Sequence, residues 1–243
     1  MANYYKTVPY WYENRKYNVG LMLTDQLVQC KYNSEILTKF EKEKFSKLKT
    51  KRRKKEYCMS RIAGKYLLNI YLDNHMEDKS VISILNDKDG APYYLPDIEG
   101  ISCGISHSGD YLANIVFPKS ICLGIDLEDT LFIKDSIRYA VLPSEMTIMP
   151  KGIDDVTFFT MMWVCKEALL KGIHGKMRDG IERYEILDIL KMNEGYLIGY
   201  KNFPEYQAVC FKWKYMVVAI AGKGIENNAN ILCCADNFES VNL

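Results

Sequence analysis

The sequence lacks the features that would place the protein in a membrane, in a secretory pathway or on nucleic acid. Among its 243 residues no apolar run approaches the ~20 residues of a membrane span. Residues 1–18 lack the basic start and apolar stretch of a secretory signal. The formal net charge of +1 gives the whole chain no strong attraction for polyanions. We therefore expect neither a membrane nor a nucleic-acid partner.

Cysteine is present, but not in the pattern of a disulfide framework or a zinc site. The eight cysteines form no C-x-x-C pair, and several lie in apolar runs, where a free thiol behaves as a small hydrophobic side chain. They are Cys30, Cys58, Cys103, Cys122, Cys165, Cys210, Cys233 and Cys234. This usage predicts free thiols in a reducing compartment, and therefore a cytoplasmic protein.

The apolar pattern predicts a mixed fold in two parts. About half of the residues are apolar, enough for one large domain or two small halves. Apolar stripes at helical spacing predict a helix after residue 55 and another over residues 155–172. Strand patterns occur in both parts of the chain. We predict an α/β or α+β protein with an N-terminal half over residues 1–123 and a C-terminal half over 124–243.

Shorter patterns predict further elements. Residues 111–117 and 121–128 read as strands, and residues 34–50 as a helix. The sequence "LPSE" offers another helix start at Ser144. The stretch "NDKDGAPYYLPDIEG" is expected to be a turn-rich loop. The tyrosine-rich first sixteen residues are expected to be a loose lead-in, and the polar last twenty a frayed tail.

Two carboxylates end a predicted strand. In "ICLGIDLED" the apolar residues at 121, 123, 125 and 127 share one face, whereas Asp126 and Glu128 follow small residues on the other. Two neighbouring carboxylates repel each other unless a cation lies between them, and oxygen ligands suit Mg²⁺. The alternative is a strand end that meets solvent, where acidic residues are ordinary.

A third acidic residue lies on the predicted helix "WVCKEALLK". Glu167 and Lys171 are four residues apart, so they share a helix face away from the apolar stripe. One interpretation is a surface ion pair. The other is a metal ligand beside a phosphate-binding ammonium, both of which are needed where a diphosphate is cleaved.

Two further segments indicate local affinity for anions. The run "EKEKFSKLKTKRRKK" at 41–55 has nine basic and two acidic residues. It indicates either a phosphate site or a solvated basic helix; nucleic-acid binding is a weaker alternative, because no aromatic residues interleave the run. His107 is one of only three histidines and lies between two serines in "SHSGD". A lone histidine near a strand is usually structural, but hydroxyls, an imidazole and a glycine can also form an anion site.

Taken together, these motifs resemble the 4′-phosphopantetheinyl transferases of the surfactin-synthetase-activating (Sfp-like) type. The motifs "SHS" (106–108), "GIDLE" (124–128), "LPSE" (142–145) and "WVCKEALLK" (163–171) occur in the order and at the intervals of that family. The resemblance covers roughly residues 20–222. It implies two pseudo-symmetric α/β halves, each a small, mostly antiparallel sheet packed with helices, and a cytoplasmic monomer that transfers phosphopantetheine from coenzyme A to a serine of an apo acyl or peptidyl carrier protein.

The resemblance implies a metal side of the site. Asp126, Glu128 and Glu167 would hold Mg²⁺, or alternatively Mn²⁺, together with the diphosphate of coenzyme A. Glu167, or a metal-bound water beside it, would deprotonate the carrier serine. Lys171 would steady the diphosphate. The implied catalytic residues are Glu167, Lys171, His107 and Asp126.

It also implies a nucleotide side. Ser106 and His107 would contact phosphates, and the protonated imidazole would bind them better. The basic residues expected near the 3′-phosphate of coenzyme A, and the loop residues expected near the nucleotide, are Arg52, Arg53, Arg61, Lys88, Gly90 and Pro92.

The chain departs from the family pattern at two positions. Ala91 replaces the lysine of a G-K-P loop, where Lys88 is a candidate substitute, and Gly104 replaces an asparagine before "SHS". Neither change removes a predicted metal ligand, so activity is expected. Two other functions fit the same residues: a metal-dependent nucleotide or diphosphate hydrolase, and a coenzyme A-binding protein without turnover.

Overall fold

A computed structural model describes residues 3–25, 34–76, 78–131, 135–173, 180–233 and 239–241. The chain divides into two compact units. Unit 1 consists of Met1–Val8, Asn18–Ser120 and Phe238–Leu243, and unit 2 of Pro9–Tyr17 and Ile121–Asn237. Helices and antiparallel sheets occur in both units, so the fold is α+β as predicted.

The strands and helices have the following bounds. The strands are β1 (Asn3–Tyr12), β2 (Arg15–Thr24), β3 (Ser83–Asn86), β4 (Pro92–Leu95), β5 (Ile101–Ser108), β6 (Tyr111–Pro118), β7 (Leu123–Asp129), β8 (Ile186–Lys191), β9 (Tyr196–Tyr200), β10 (Gln207–Trp213), β11 (Met216–Gly222) and β12 (Glu239–Val241). The α-helices are α1 (Lys39–Ser46), α2 (Lys51–Tyr71), α3 (Asp135–Tyr139), α4 (Asp155–Gly172) and α5 (Ala229–Cys233). Short 3₁₀ helices lie at Ser34–Ile36, Lys79–Val81, Glu145–Ile148, Ile181–Tyr184 and Ile225–Asn227.

Unit 1 is built on a sheet of order β12-β1-β2-β6-β5, beside the β3–β4 hairpin. Helix α2 begins after Thr50, whose hydroxyl accepts a hydrogen bond from the Arg53 backbone N–H and so satisfies one of the free amides of the first turn. The predicted apolar stripe of α2 is buried against the sheet. It shares hydrophobic clusters with Met22, Cys103, Leu112 and Val116 of the sheet.

Unit 2 is built on a sheet of order β7-β11-β10-β9-β8, in which every neighbouring pair is antiparallel. Helix α4 begins after Asp154, whose carboxylate accepts the Thr157 backbone N–H at 2.8 Å. The helix lies on the sheet with its predicted apolar stripe inward. The buried residues of this stripe are Phe158, Met162, Cys165 and Leu169.

Both termini differ from the prediction. The first sixteen residues are not a loose lead-in, because β1 and the start of β2 lie there and Val8 and Tyr10 are buried. The last twenty residues are not simply a frayed tail: they include α5 and β12, and β12 pairs antiparallel with β1, with Asn3 opposite Val241. Local patterns missed β12 because it is ordered by pairing with β1, more than 200 residues away. β1 also neighbours β2 in the sheet, and α5 contacts β10.

One helix prediction was too long, the helix that starts after Ser144 is short, and a strand was missed. The segment 34–50 contains a 3₁₀ turn and α1, then three non-helical residues before Thr50, which caps α2. The helix predicted at Ser144 is a single 3₁₀ turn, because Pro150 follows and cannot continue a helical ladder. The loop "NDKDGAPYYLPDIEG" contains strand β4.

The cysteines that the structure describes are all free thiols, as predicted. Cys30 and Cys234 lie outside the described residues. Within the described ranges, no helix has the length and apolar character needed to cross a membrane.

Candidate functional site

In unit 2, a glycine brings β7 and α4 into close contact. A Cβ atom at Gly124 would collide with the Ala168 carbonyl oxygen and the Gly172 backbone of α4. Alternation along the strand turns Asp126 and Glu128 to the same side as Gly124, toward α4. The residues of the other face are buried, as predicted. The small residues of the "GIDLE" motif therefore allow the helix to approach the two carboxylates.

This approach joins two of the sequence motifs. The Lys171 ammonium of α4 lies 2.6 Å from Asp126 Oδ1, in an ion pair whose carboxylate is nearly buried. Glu167 lies on the same helix face, one turn earlier. The predicted pair at 167 and 171 is therefore not an isolated surface ion pair, because Lys171 bonds to the strand.

The electrostatics of Glu167 are unusual for a glutamate. Burial raises the pKa of its carboxyl above the ordinary value, the negative charges of Asp126 and Glu128 raise it further, and Lys171 lowers it. A carboxylate with a raised pKa is a better proton acceptor than a solvated one. Asp126 and Glu128 therefore act electrostatically on Glu167, whereas the shared cation site remains a prediction.

The donor atoms of the three acidic residues suit a hard divalent cation, although the side chains are not arranged around a common centre. Within the described part of the chain, no three His, Cys, Asp or Glu side chains are gathered into a group that could hold a metal. Asp126 is instead bonded to Lys171. The oxygen donors of Asp126, Glu128 and Glu167 are those that Mg²⁺ prefers, and their mutual repulsion favours an added cation.

Unit 1 contains a pocket of about 250 Å³ between α2 and the end of β5. Its walls combine cations, a histidine and an aromatic ring, and its lining residues are Leu48, Arg53, Glu56, Tyr57, Ser60, Arg61 and His107. Arg53, Tyr57 and Arg61 are four residues apart on α2, which places them on one helix face. The pocket therefore brings together three predicted nucleotide-binding residues: Arg53, Arg61 and His107.

Arg61 is held rigidly in this pocket. Its guanidinium donates hydrogen bonds to the Ile84 carbonyl oxygen, Ser60 Oγ and Asn86 Oδ1, and it stacks over the Tyr57 ring with its centre 4.0 Å from the ring centroid. A planar cation held in this way suits recognition of phosphate. The Tyr57 hydroxyl is buried beside the Arg61 guanidinium; burial raises the pKa of this hydroxyl, and the neighbouring cation lowers it.

Other predicted residues do not line this pocket. Arg52 is exposed and pairs with Glu56 at 2.8 Å. Ser106 is buried, and as the neighbour of His107 along β5 it points to the opposite face of the strand. Lys88 is exposed in the β3–β4 turn, in which Gly90 has a positive φ of 96°. Pro92 is the first residue of β4.

Sequence reasoning missed several residues that shape the two sites. Tyr57 and Ser60 share the pocket-facing side of α2, and the spacing of Tyr57 from Arg53 and Arg61 was the available signal. Lys166 was passed over although it precedes Glu167, because its partner Glu145 is 21 residues away and only the fold brings the two together.

Comparisons with known proteins give no independent identification. No family model matches the chain, and no curated protein matches it in sequence.

Proposed function

We propose that the chain is a Mg²⁺-dependent 4′-phosphopantetheinyl transferase that modifies a serine of an apo acyl or peptidyl carrier protein. The observation that carries the proposal is the contact between Lys171 and Asp126 beside Glu167. Two motifs that are 35 or more residues apart in the sequence meet there, with the residue types that cleavage of a diphosphate requires. We also propose a cytoplasmic location, on the basis of the cysteine usage.

The pocket of unit 1 supports the nucleotide part of this proposal. It has two arginines, a histidine and a buried tyrosine hydroxyl, and its one carboxylate, Glu56, is paired with Arg52. These groups suit a phosphomonoester such as the 3′-phosphate of coenzyme A, since an arginine fork can bind two oxygens at once. In this assignment Arg53, Arg61 and His107 bind the nucleotide, and Arg52 is outside the site.

The resemblance also implies two pseudo-symmetric halves, and the topology of the units supports them. In each unit a strand leads through helices to four further strands: β2, α2 and β3–β6 in unit 1, and β7, α4 and β8–β11 in unit 2. In each, the first strand pairs antiparallel with the last, and the last with the one before it. The first two of the four form a hairpin in both units.

Two side-chain features repeat with the same topology. Gly20 of β2 faces Leu67 of α2, as Gly124 of β7 faces Ala168 of α4. Each unit also has a fully buried lysine–glutamate pair. The lysines, on α2 and α4, occur two residues before Leu67 and Ala168 respectively. The glycine on the strand, the facing residue on the helix and the buried ion pair thus occupy equivalent places in the two units, which supports a repeated motif. The acidic residues of the proposed metal site are in unit 2.

In the proposed reaction Glu167 accepts the proton of the carrier serine, and its raised pKa suits that task. The serine oxygen forms a bond to the phosphorus that bears pantetheine, and the bond from that phosphorus to the bridging oxygen breaks. Adenosine 3′,5′-bisphosphate leaves with the bridging oxygen, whose negative charge the Lys171 ammonium neutralises. A bound Mg²⁺, held by Asp126, Glu128 and Glu167, would neutralise the diphosphate oxygens.

The test is labelling of apo carrier proteins by coenzyme A. We expect a Mg²⁺-dependent mass gain of one phosphopantetheine on at least one carrier from a panel of fatty-acid, polyketide and peptide synthases. The Asp126→Ala variant should give no gain, whereas the matched variant Asp129→Ala, at the end of the same strand, should retain it. A panel without any gain in the presence of Mg²⁺ would refute the transferase. Coenzyme A cleavage without a carrier would indicate a hydrolase, and tight binding without transfer a binding protein.

A further inference from the structure

Unit 2 contains a buried ion pair next to the proposed site. The Lys166 ammonium lies 2.7 Å from Glu145 Oε2 and donates a second hydrogen bond of 2.7 Å to the Ala140 carbonyl oxygen. Both charged side chains are fully buried, with 0% exposure. Lys166 is the residue before Glu167 on α4, so whatever holds Lys166 also determines where Glu167 points.

Glu145 extends this pair into a network. Its Oε2 accepts the Leu142 backbone N–H, and its Oε1 accepts the Ile186 backbone N–H, both at 2.7 Å. The network therefore links α4 to the segment before the 3₁₀ helix Glu145–Ile148 and to the first residue of β8. Every contact is a directional hydrogen bond, and together they fix the helix relative to the surrounding backbone.

Unit 1 has the same network. Lys65 of α2 lies 2.6 Å from Glu41 Oε2 and donates to the Ile36 carbonyl oxygen at 2.9 Å. Glu41 accepts the Thr38 backbone N–H at Oε2 and the Ile84 backbone N–H at Oε1. In both units the glutamate accepts an amide three residues before it, and the lysine donates to a carbonyl five residues before the glutamate. The pair in unit 1 therefore provides a control of matched geometry without the acidic site.

Stability is a weak explanation for such a network. Removing two charges from water costs about as much as their attraction returns, and well-packed apolar residues are often equally stable in their place. A buried pair is useful where it specifies one arrangement among several. The close approach of β7 to α4 at Gly124 involves only the small residues Ala168 and Gly172, so no large side chain interlocks the strand and the helix at this point.

We propose that Glu145 and Lys166 are positioning residues that fix the rotation of α4 about its own axis and its position on the sheet. They thereby hold Glu167 and Lys171 opposite Asp126. This inference rests on the proposed function, because it assigns the purpose of the pair to the metal side of that site. Neither residue touches the substrate in this assignment. They act through the helix that carries Glu167 and Lys171.

The test replaces the whole pair by apolar residues. The double variant Glu145→Leu/Lys166→Met is compared with Glu41→Leu/Lys65→Met, the matched replacement in unit 1. Mn²⁺ binding to each protein, without coenzyme A, is followed by electron paramagnetic resonance, and folding by urea denaturation. Asp126→Ala sets the background, and Glu145→Gln, which keeps the shape of the side chain, serves if the double variant does not fold.

We expect both double variants to unfold at similarly lowered urea concentrations, because in each unit the backbone groups bonded to the pair lose their partners. The unit 2 variant should also bind Mn²⁺ at least ~10-fold more weakly, as is common when the residues that orient metal ligands are lost. The unit 1 variant should keep wild-type Mn²⁺ affinity. Wild-type affinity in the folded unit 2 variant, or in Glu145→Gln if that variant is needed, would overturn the positioning role alone. If the wild type binds no more Mn²⁺ than Asp126→Ala does, the metal site of the proposed function fails, and the positioning role fails with it.

Discussion

Gly124 of β7 lies directly against the backbone of α4, so closely that a methyl group at this position would overlap the Ala168 carbonyl oxygen. Helix α4 carries Glu167 and Lys171, and β7 carries Asp126. The absence of a side chain at 124 therefore determines the separation between the strand and the helix that together form the acidic site.

The first prediction concerns this separation. Gly124→Ala should lower the free energy of unfolding by about 3 kcal/mol, because backbone on the facing helix cannot move aside as a side chain can. It should also reduce carrier labelling. The control is Gly20→Ala in unit 1, where a Cβ would lie 3.2 Å from the end of the Leu67 side chain, which can move. That variant should lose only about 1 kcal/mol. Urea denaturation of both proteins checks the difference, and equal losses would contradict it.

Lys171 should have two opposing effects. Lys171→Met should slow carrier labelling about 100-fold, the scale expected when a charged group that stabilises a transition state is removed. The same variant should bind Mn²⁺ more tightly in the absence of coenzyme A, because Asp126 loses the ammonium at 2.6 Å that competes with a metal. Electron paramagnetic resonance and labelling rates separate the two effects. Weaker Mn²⁺ binding would mean that Lys171 orients the carboxylate instead of competing for it.

The arginines of α2 should differ in their contribution to nucleotide binding. Arg53→Ala should weaken binding of adenosine 3′,5′-bisphosphate about 10-fold, because it removes one charged hydrogen-bond donor from the pocket. Arg52→Ala, the neighbouring substitution, should change the affinity less than about 2-fold, since Arg52 is paired with Glu56 and lies outside the pocket. Calorimetry measures both. The pocket assignment is wrong if the two variants weaken binding equally.

The reactivity of the thiols follows from their burial. Burial raises the pKa of Cys58 to about 11 and that of Cys103 to about 12, so at pH 8 both are almost entirely protonated and unreactive. A raised pKa means that the thiolate fraction grows only as the pH approaches these values. Cys122 is exposed. Peptide mass spectrometry after iodoacetamide treatment at pH 8 should find Cys122 modified first, and the other two only in urea. Fast alkylation of Cys103 in the native protein would contradict the described packing.

Much of the local structure was predictable. The helix predicted over 155–172 coincides with α4, and the strands predicted at 111–117 and 121–128 agree with β6 and β7 to within two residues. Apolar periodicity decides such elements when they are long or strongly alternating, because their neighbours are the residues next to them in sequence. The prediction was less accurate for elements whose structure depends on contacts with distant parts of the chain. β12 depends on its pairing with β1 at the other end of the chain, and the one-turn helix at 145–148 is held through Glu145 by β8.

The candidate site was likewise predictable only in part. By itself the sequence determined which side chains share a face: Asp126 with Glu128 at strand spacing, and Glu167 with Lys171 at helix spacing. Only the tertiary structure decided which groups meet. It bonded Lys171 to Asp126, stacked Arg61 on Tyr57 and buried Lys166 against Glu145. The physical reason is range: backbone geometry fixes the direction of neighbouring side chains, whereas contacts between distant segments depend on how sheet and helix pack, which no local pattern contains.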